Sequence, residues 1–133
     1  MSNIIDKPWG KEIILTESNL PFTAKILEIY AGSKLSLQYH DQKIETLTLF
    51  QGSANITLGN SMENLITKPM EKKIGYTFTP KTIHRIEAIT DCTVFEASTP
   101  ETGTTYRLQD DYQRQNETQT VRDLPNRGWK NEK

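Results

Sequence analysis

The chain has 133 residues, with 16 lysine and arginine against 17 aspartate and glutamate side chains and a net charge of −1. That length supports one domain around one hydrophobic core, and the near-neutral balance, without a basic stripe interleaved with aromatics, argues against nucleic acid as the main partner. The single cysteine, Cys92, excludes an internal disulfide and a multi-cysteine zinc site; no stretch approaches transmembrane length, and MSNIIDKPWG lacks a basic region leading into a long apolar run, so a cytoplasmic setting without membrane attachment is expected.

In chain order, short β-rich runs broken by turn residues fill the sequence from about residue 11 to residue 99. Strands are predicted over 11–16, 22–30, 35–40, 45–51, 54–58, 64–67, 76–79, 85–90 and 93–98. Turn chemistry falls between them at Ser18-Asn19, Ala31-Gly32-Ser33, Gln51-Gly52-Ser53, Gly59-Asn60 and Thr90-Asp91. So many short strands at close spacing predict an all-β sandwich or barrel. Helical periodicity is missing throughout this region, and only 107–114 has room for a helical turn. Beyond residue 114 the sequence QNETQTVRDLPNRGWKNEK holds little that is apolar except Val121, Leu124 and Trp129. The expected organisation is therefore a domain over 1–114 and a polar, flexible tail over 115–133. The many lysines are expected on a solvated surface.

Strand side chains alternate between faces, which places the chemistry. Ser36, Gln38 and His40 share one face of their strand. Glu45 lies with Leu47 and Leu49, and His84 with Ile86 and Ala88. If those faces look inward, polar groups crown an apolar floor at the mouth of a barrel, where ligand sites of small barrels lie. A buried glutamate without a partner is costly, and a metal ion or a cationic side chain removes that cost. An amide oxygen, a carboxylate and two imidazoles make a mixed N/O set suited to zinc, manganese, iron, cobalt or nickel. Glu45 has a competing role as the salt-bridge partner of Lys43 or Arg85.

These residues also carry a family resemblance. Gly32-X5-Gln38-X-His40-X4-Glu45-X6-Gly52 resembles the first cupin motif, with glutamine in its first histidine position, and the stretch from Gly75 to His84 resembles the second. More narrowly, Lys7-Pro-Trp-Gly10, Leu35-Ser-Leu-Gln-X-His40, Thr82-Ile-His-Arg85 and Arg107-Leu-Gln-Asp-Asp-Tyr-Gln-Arg114 resemble the cupin domain of type II mannose-6-phosphate isomerases. The resemblance covers residues 7–114. It departs from the family at Asp41-Gln42-Lys43, where further histidine and arginine are usual. It departs again at Pro80-Lys81-Thr82, at Ala88, and at Gln113 in place of a glycine.

The resemblance implies a single-domain cupin, a double-stranded β-helix or jelly roll, with one divalent metal ion held by Gln38, His40, Glu45 and His84. It implies isomerisation of a small phosphorylated sugar, mannose-6-phosphate to fructose-6-phosphate by default, and a homodimer. Glu45, Lys34 and Arg107 are the candidates for catalytic work, with Asp110 and Asp111 as further proton carriers. Lys43, Asp110, Asp111 and Arg114 are candidates for substrate contact, the cations among them for phosphate. Asp110, Asp111, Tyr112 and Arg114 can equally serve to pin the chain end to the domain. The alternatives are a non-catalytic sugar-binding or regulatory cupin and another metal-dependent cupin enzyme, an oxygenase or a sugar-nucleotide epimerase.

Overall fold

A computed structural model describes residues 3–128. It is built almost wholly from strands: β1 (Asn3–Lys7), β2 (Gly10–Ile14), β3 (Thr23–Ile29), β4 (Leu37–His40), β5 (Glu45–Gln51), β6 (Ala54–Gly59), β7 (Ile66–Pro69), β8 (Gly75–Phe78), β9 (Ile83–Ala88), β10 (Cys92–Ser98) and β11 (Thr105–Gln109). Two short 3₁₀ turns, Met62–Asn64 and Pro125–Gly128, and the one-turn helix α1 (Gln119–Arg122) complete it. All strand pairs are antiparallel. They form a six-stranded sheet in the order β1-β2-β3-β10-β5-β8 and a five-stranded sheet in the order β11-β4-β9-β6-β7. The expected all-β jelly roll is the fold observed.

The two sheets face each other across a core in which inward residues alternate with outward ones. Leu27 and Ile29 of β3, Leu47 and Leu49 of β5 and Val94 of β10 meet Ile56 of β6 and Ile86 and Ala88 of β9. Full burial of each large aliphatic side chain contributes about 1.5–3 kcal/mol, so this floor carries the hydrophobic share of stability. Trp9, in the β1–β2 turn, is buried against it. Gly10 follows Trp9 at φ 154°, where β2 passes so close to β3 that a Cβ would run into the Glu28 carbonyl.

Two strands depart from the sequence-based expectation. β1 was not predicted, because only Ile4 and Ile5 are apolar and an inward position is taken by the buried Lys7. Over 107–114 the expected helical turn is replaced by the end of β11 and a turn at Asp110–Gln113. Thr105, Tyr106 and Arg107 pair with His40, Tyr39 and Gln38. Tyr106 stacks on Tyr39 at 5.0 Å with the rings 17° apart, a cross-strand aromatic pair that favours the sheet.

Residues 115–128 are not the unpacked tail that their composition suggested. Glu117 and Thr105 exchange two backbone hydrogen bonds of 2.9 Å. Thr118 caps α1 by accepting from the Val121 N–H, and Val121 is buried. Ion pairs do what apolar burial does elsewhere: Arg122 and Arg127 both reach Glu117 and Glu101. Trp129 and the rest of the expected tail lie outside the described residues.

Candidate metal centre

Strand pairing assembles the site. β4 and β9 meet at the Gln38–His84 pair, β11 sets Thr105 beside His40, and β5 faces them from the opposite sheet with Glu45 at its first position. His40 Nε2 lies 3.0 Å and His84 Nε2 2.7 Å from the same oxygen, Glu45 Oε1. Ligand atoms of His40, Glu45 and His84 all fall within 4.8 Å of one another, and all three residues are buried. The far nitrogens are tied down. His84 Nδ1 donates to the Thr82 carbonyl at 3.0 Å, which selects Nε2 as its ligand atom. His40 Nδ1 pairs with Thr105 Oγ1 at 2.8 Å. Phe78 stacks on the His84 ring at 4.2 Å and 9°. Gln38 lines the same cavity, with its amide oxygen accepting from Ser36 Oγ at 2.6 Å. Two imidazoles, one carboxylate and one amide on the walls of one cavity are a donor set that fits a first-row divalent cation.

The turn before β9 supports this arrangement from outside. Thr82 N–H donates to the Thr79 carbonyl at 3.1 Å, and Lys81 N–H to the His40 carbonyl at 2.8 Å. Pro80 sits where a type II turn favours proline, and Lys81, at φ 71°, where that turn favours glycine. Gln113, at φ 54°, likewise holds a left-handed conformation in the turn after β11.

A network of buried charge surrounds the cluster. Lys43 Nζ is 3.3 Å from Glu45 Oε2, 3.0 Å from Glu96 and 3.0 Å from Glu101. Lys25 Nζ is 2.6 Å from Glu12, 2.5 Å from Glu101 and 3.8 Å from Glu96. Burial alone would raise the Glu45 carboxyl, but Lys43 and the hydrogen bonds from both histidines outweigh it and hold the group well below the usual range. At Glu96 the balance falls the other way. Burial raises the carboxyl, Lys43 and Lys25 only partly offset that, and the nearby Glu45 and Glu101 add to the rise. For Lys7, burial outweighs Glu12 and Glu117 and lowers the ammonium to about 8.

The sequence-predicted residues divide into three groups. Gln38, His40, Glu45 and His84 come together, with Lys43, Arg107 and Arg114 on the same cavity wall. Lys43 donates to Glu101 and forms ion pairs with Glu45 and Glu96. Arg107 bonds to the Gln115 carbonyl and Glu117, and Arg114 grips Asp110 through two nitrogens, 2.8 and 3.2 Å away. Lys34, Asp110 and Asp111 are not on the cavity wall: the Lys34 backbone forms an isolated antiparallel bridge with Glu87, Asp110 turns to Arg114, and Asp111 is exposed. The competing salt-bridge role of Glu45 is seen at Oε2, which meets Lys43, while Oε1 meets the two histidines. Arg85 instead donates to the Leu35 and Gln109 carbonyls.

Sequence reasoning missed Lys7, Glu12, Lys25, Glu96, Glu101 and Glu117, and the expectation of surface lysines fails at Lys7, Lys25 and Lys43, which are buried. A signal was present for two of them. Lys25 shares its face with Leu27 and Ile29, and Glu96 shares its face with Val94, so both are charges on an otherwise apolar stripe. All of the missed residues except Lys25 line the cavity, which has a volume of about 70 Å³. Among its lining residues, Glu12 Oε2 and Arg107 Nε are buried without a hydrogen-bond partner.

Comparison with known proteins places this geometry in a family. Among solved structures, the capsular polysaccharide assembling protein CapF from Staphylococcus aureus superposes with a TM-score of 0.71 at 13% identity, over 83% of this chain and 32% of that one. The oxalate decarboxylase of Lactobacillus farciminis, in its formate complex, gives 0.66 at 20% identity, over 80% and 33%. KdgF from a Halomonas species gives 0.62 at 15% identity, over 75% and 89%. The chain thus spans about a third of the length of the first two, and at these identities the likeness is one of fold. No curated protein matches the sequence. The family described as mannose-6-phosphate isomerase C-terminal matches residues 1–117. With nearly nine-tenths of its length inside that match, and with its two sheets closing around a His40–Glu45–His84 cluster, the chain belongs to the mannose-6-phosphate isomerase C-terminal family of cupin domains.

Proposed function

We propose that the protein is a metal-dependent sugar-phosphate isomerase that interconverts an aldose and a ketose phosphate, with mannose-6-phosphate and fructose-6-phosphate as the default pair. The observation that carries this reading is the convergence of His40 Nε2, His84 Nε2 and Glu45 Oε1 on the wall of a cavity, in a chain of this family. Gln38, His40, Glu45 and His84 would hold one divalent ion of zinc, manganese, iron, cobalt or nickel. Such an ion supplies polarisation of a carbonyl and its neighbouring hydroxyl, the groups that exchange roles in aldose–ketose isomerisation. The protein's own contribution is orientation: Thr82 and Thr105 fix the two rings, and Phe78 covers the face of His84. Arg107 Nε, a buried donor without a hydrogen-bond partner, and Glu12 Oε2, which has ion pairs but no hydrogen bond, suit a hydroxyl-rich ligand. On this reading the protein works as a cytoplasmic homodimer.

The size of the cavity favours a second reading. About 70 Å³ is well below the roughly 300–1,000 Å³ of sites that enclose small organic ligands. A hexose phosphate enters only if the cavity widens; a smaller substrate, handled by another metal-dependent cupin chemistry such as an oxygenase reaction, needs less room. NMR of mannose-6-phosphate in heavy water, with the metal-loaded protein and again with chelator, separates the two. Deuterium entering at C2 together with fructose-6-phosphate, both abolished by chelator, is the expected result. A stoichiometrically loaded protein that leaves the sugar unchanged removes the isomerase reading for this substrate.

A further inference from the structure

Lys43 lies in the β4–β5 loop, two residues before Glu45, yet its side chain turns into the barrel and is only 5% exposed. An ammonium group has three protons and no acceptor. Here those protons face Glu45 Oε2 at 3.3 Å, Glu96 Oε2 at 3.0 Å and Glu101 Oε1 at 3.0 Å. The Glu45 carboxylate is therefore shared out by oxygen: Oε1 faces both histidine Nε2 atoms and Oε2 faces the lysine. The other two carboxylates are anchored independently. Glu96 sits within β10 and accepts from Ser98 Oγ at 3.0 Å, and Glu101 is held by Lys25, Arg122 and Arg127. Lys43 is thus fixed from two sides, and Glu45 is the one carboxylate of the three that belongs to the metal cluster.

We infer that Lys43 is a positioning residue that reserves one oxygen of Glu45, so that the carboxylate offers a divalent cation a single oxygen and the fixed ammonium charge limits how tightly that cation is held. The inference rests on the metal reading of the same site. Its physical basis is twofold. A carboxylate can give a metal one oxygen or two, and an ammonium ion-paired with Oε2 at 3.3 Å opposes the two-oxygen mode. A positive charge beside a ligand atom, in an interior where charges are poorly screened, also opposes the arrival of a dication. Lys43 balances Glu45 in the empty site and competes with the ion in the filled one.

Cobalt(II) titration of the full chain tests this, because the visible spectrum of the ion reports its coordination number as well as its affinity. Lys43→Met is expected to bind cobalt at least about tenfold more tightly than wild type. Its visible bands should be weaker, as a second Glu45 oxygen raises the coordination number. Should Lys43→Met prove poorly folded by circular dichroism, Lys43→Met/Glu96→Gln, judged against Glu96→Gln alone, removes one of the carboxylates left uncompensated and gives the same comparison. A folded variant with wild-type affinity and spectrum overturns the inference and leaves Lys43 a purely structural cation. Failure of the wild type itself to bind cobalt, matching His40→Ala, would instead overturn the metal reading, and the inference with it.

Discussion

The two halves of the barrel interior are built from the same strands and held together by opposite physics. Toward one end, Leu27, Leu49, Ile56, Ile86 and Val94 form a dry floor. Toward the other, Lys7, Glu12, Lys25, Lys43, Glu45, Glu96 and Glu117 are also buried and, with the half-buried Glu101, form ion pairs of 2.5–4.0 Å. On β3 the change from one regime to the other takes one step of the alternation, from Leu27 to Lys25, and on β10 from Val94 to Glu96. The floor stabilises the fold by removing apolar surface from water. The charged half gains little from its ion pairs once desolvation is subtracted, and it tolerates the loss of one member badly. What it provides is a rigid polar wall around the histidine–glutamate cluster. A fold that needed only stability would have continued the apolar stripe upward.

Four measurements break or sharpen this contrast. The largest effect is expected at Lys25, which is 1% exposed and meets three carboxylates. Lys25→Met leaves those acids uncompensated and should lower unfolding free energy by about 3–5 kcal/mol in urea titrations. A loss below about 1 kcal/mol would mean that the charged half relaxes freely, and the contrast would fail.

Next is the acid response of Glu12. Burial raises its carboxyl, but Lys25, Arg127 and Lys7 outweigh that and lower it from 4.5 to about 2. A carboxyl depressed in the folded state stabilises above its unfolded value and loses that contribution as pH falls through the folded one. The stability difference between wild type and Glu12→Gln should therefore shrink by about 3 kcal/mol between pH 4.5 and 2. An unchanged difference over that range would mean that Glu12 is not held by its cations.

The floor should behave otherwise. Ile56 is fully buried, and Ile56→Val is expected to cost about 0.5–1.5 kcal/mol, with the same value at pH 4.5 and pH 7. A pH-dependent cost would show that the two halves are coupled.

The smallest effects are expected where non-glycine residues hold left-handed backbone. Lys81→Gly and Gln113→Gly should each stabilise by about 0.5–1 kcal/mol, because relief of the Cβ clash exceeds the added entropy of the unfolded chain. Melting temperatures will read these gains. Destabilisation by either change would show that the side chain contributes contacts worth more than the strain.

The candidate metal cluster was legible in the sequence for a simple reason. Gln38, His40, Glu45 and His84 lie on strands, where a period of two assigns a face to every residue, and they are the chemistry-bearing residues of two spaced motifs. The charged half was legible only in part. Lys25 and Glu96 interrupt apolar stripes, but a lone charge on a strand reads equally well as surface until the facing sheet is known. Lys43 and Glu101 lie outside the strands, where no period assigns a direction. The docking of residues 115–128 could not be read from composition, because it depends on charge pairing with partners more than a hundred residues away, such as Lys7 and Glu12, rather than on apolar content.

By itself, then, the sequence determined the all-β class, the strand periodicity and the four residues that share the cavity, because these follow from local alternation and motif spacing. The tertiary structure alone decided which charges are buried, how Lys43 and the histidines divide the two oxygens of Glu45, and that residues 115–128 pack against Thr105 and Glu101. Each of these depends on groups distant in sequence meeting in a low-dielectric interior, where a partner at 3 Å decides whether a charge can be buried at all.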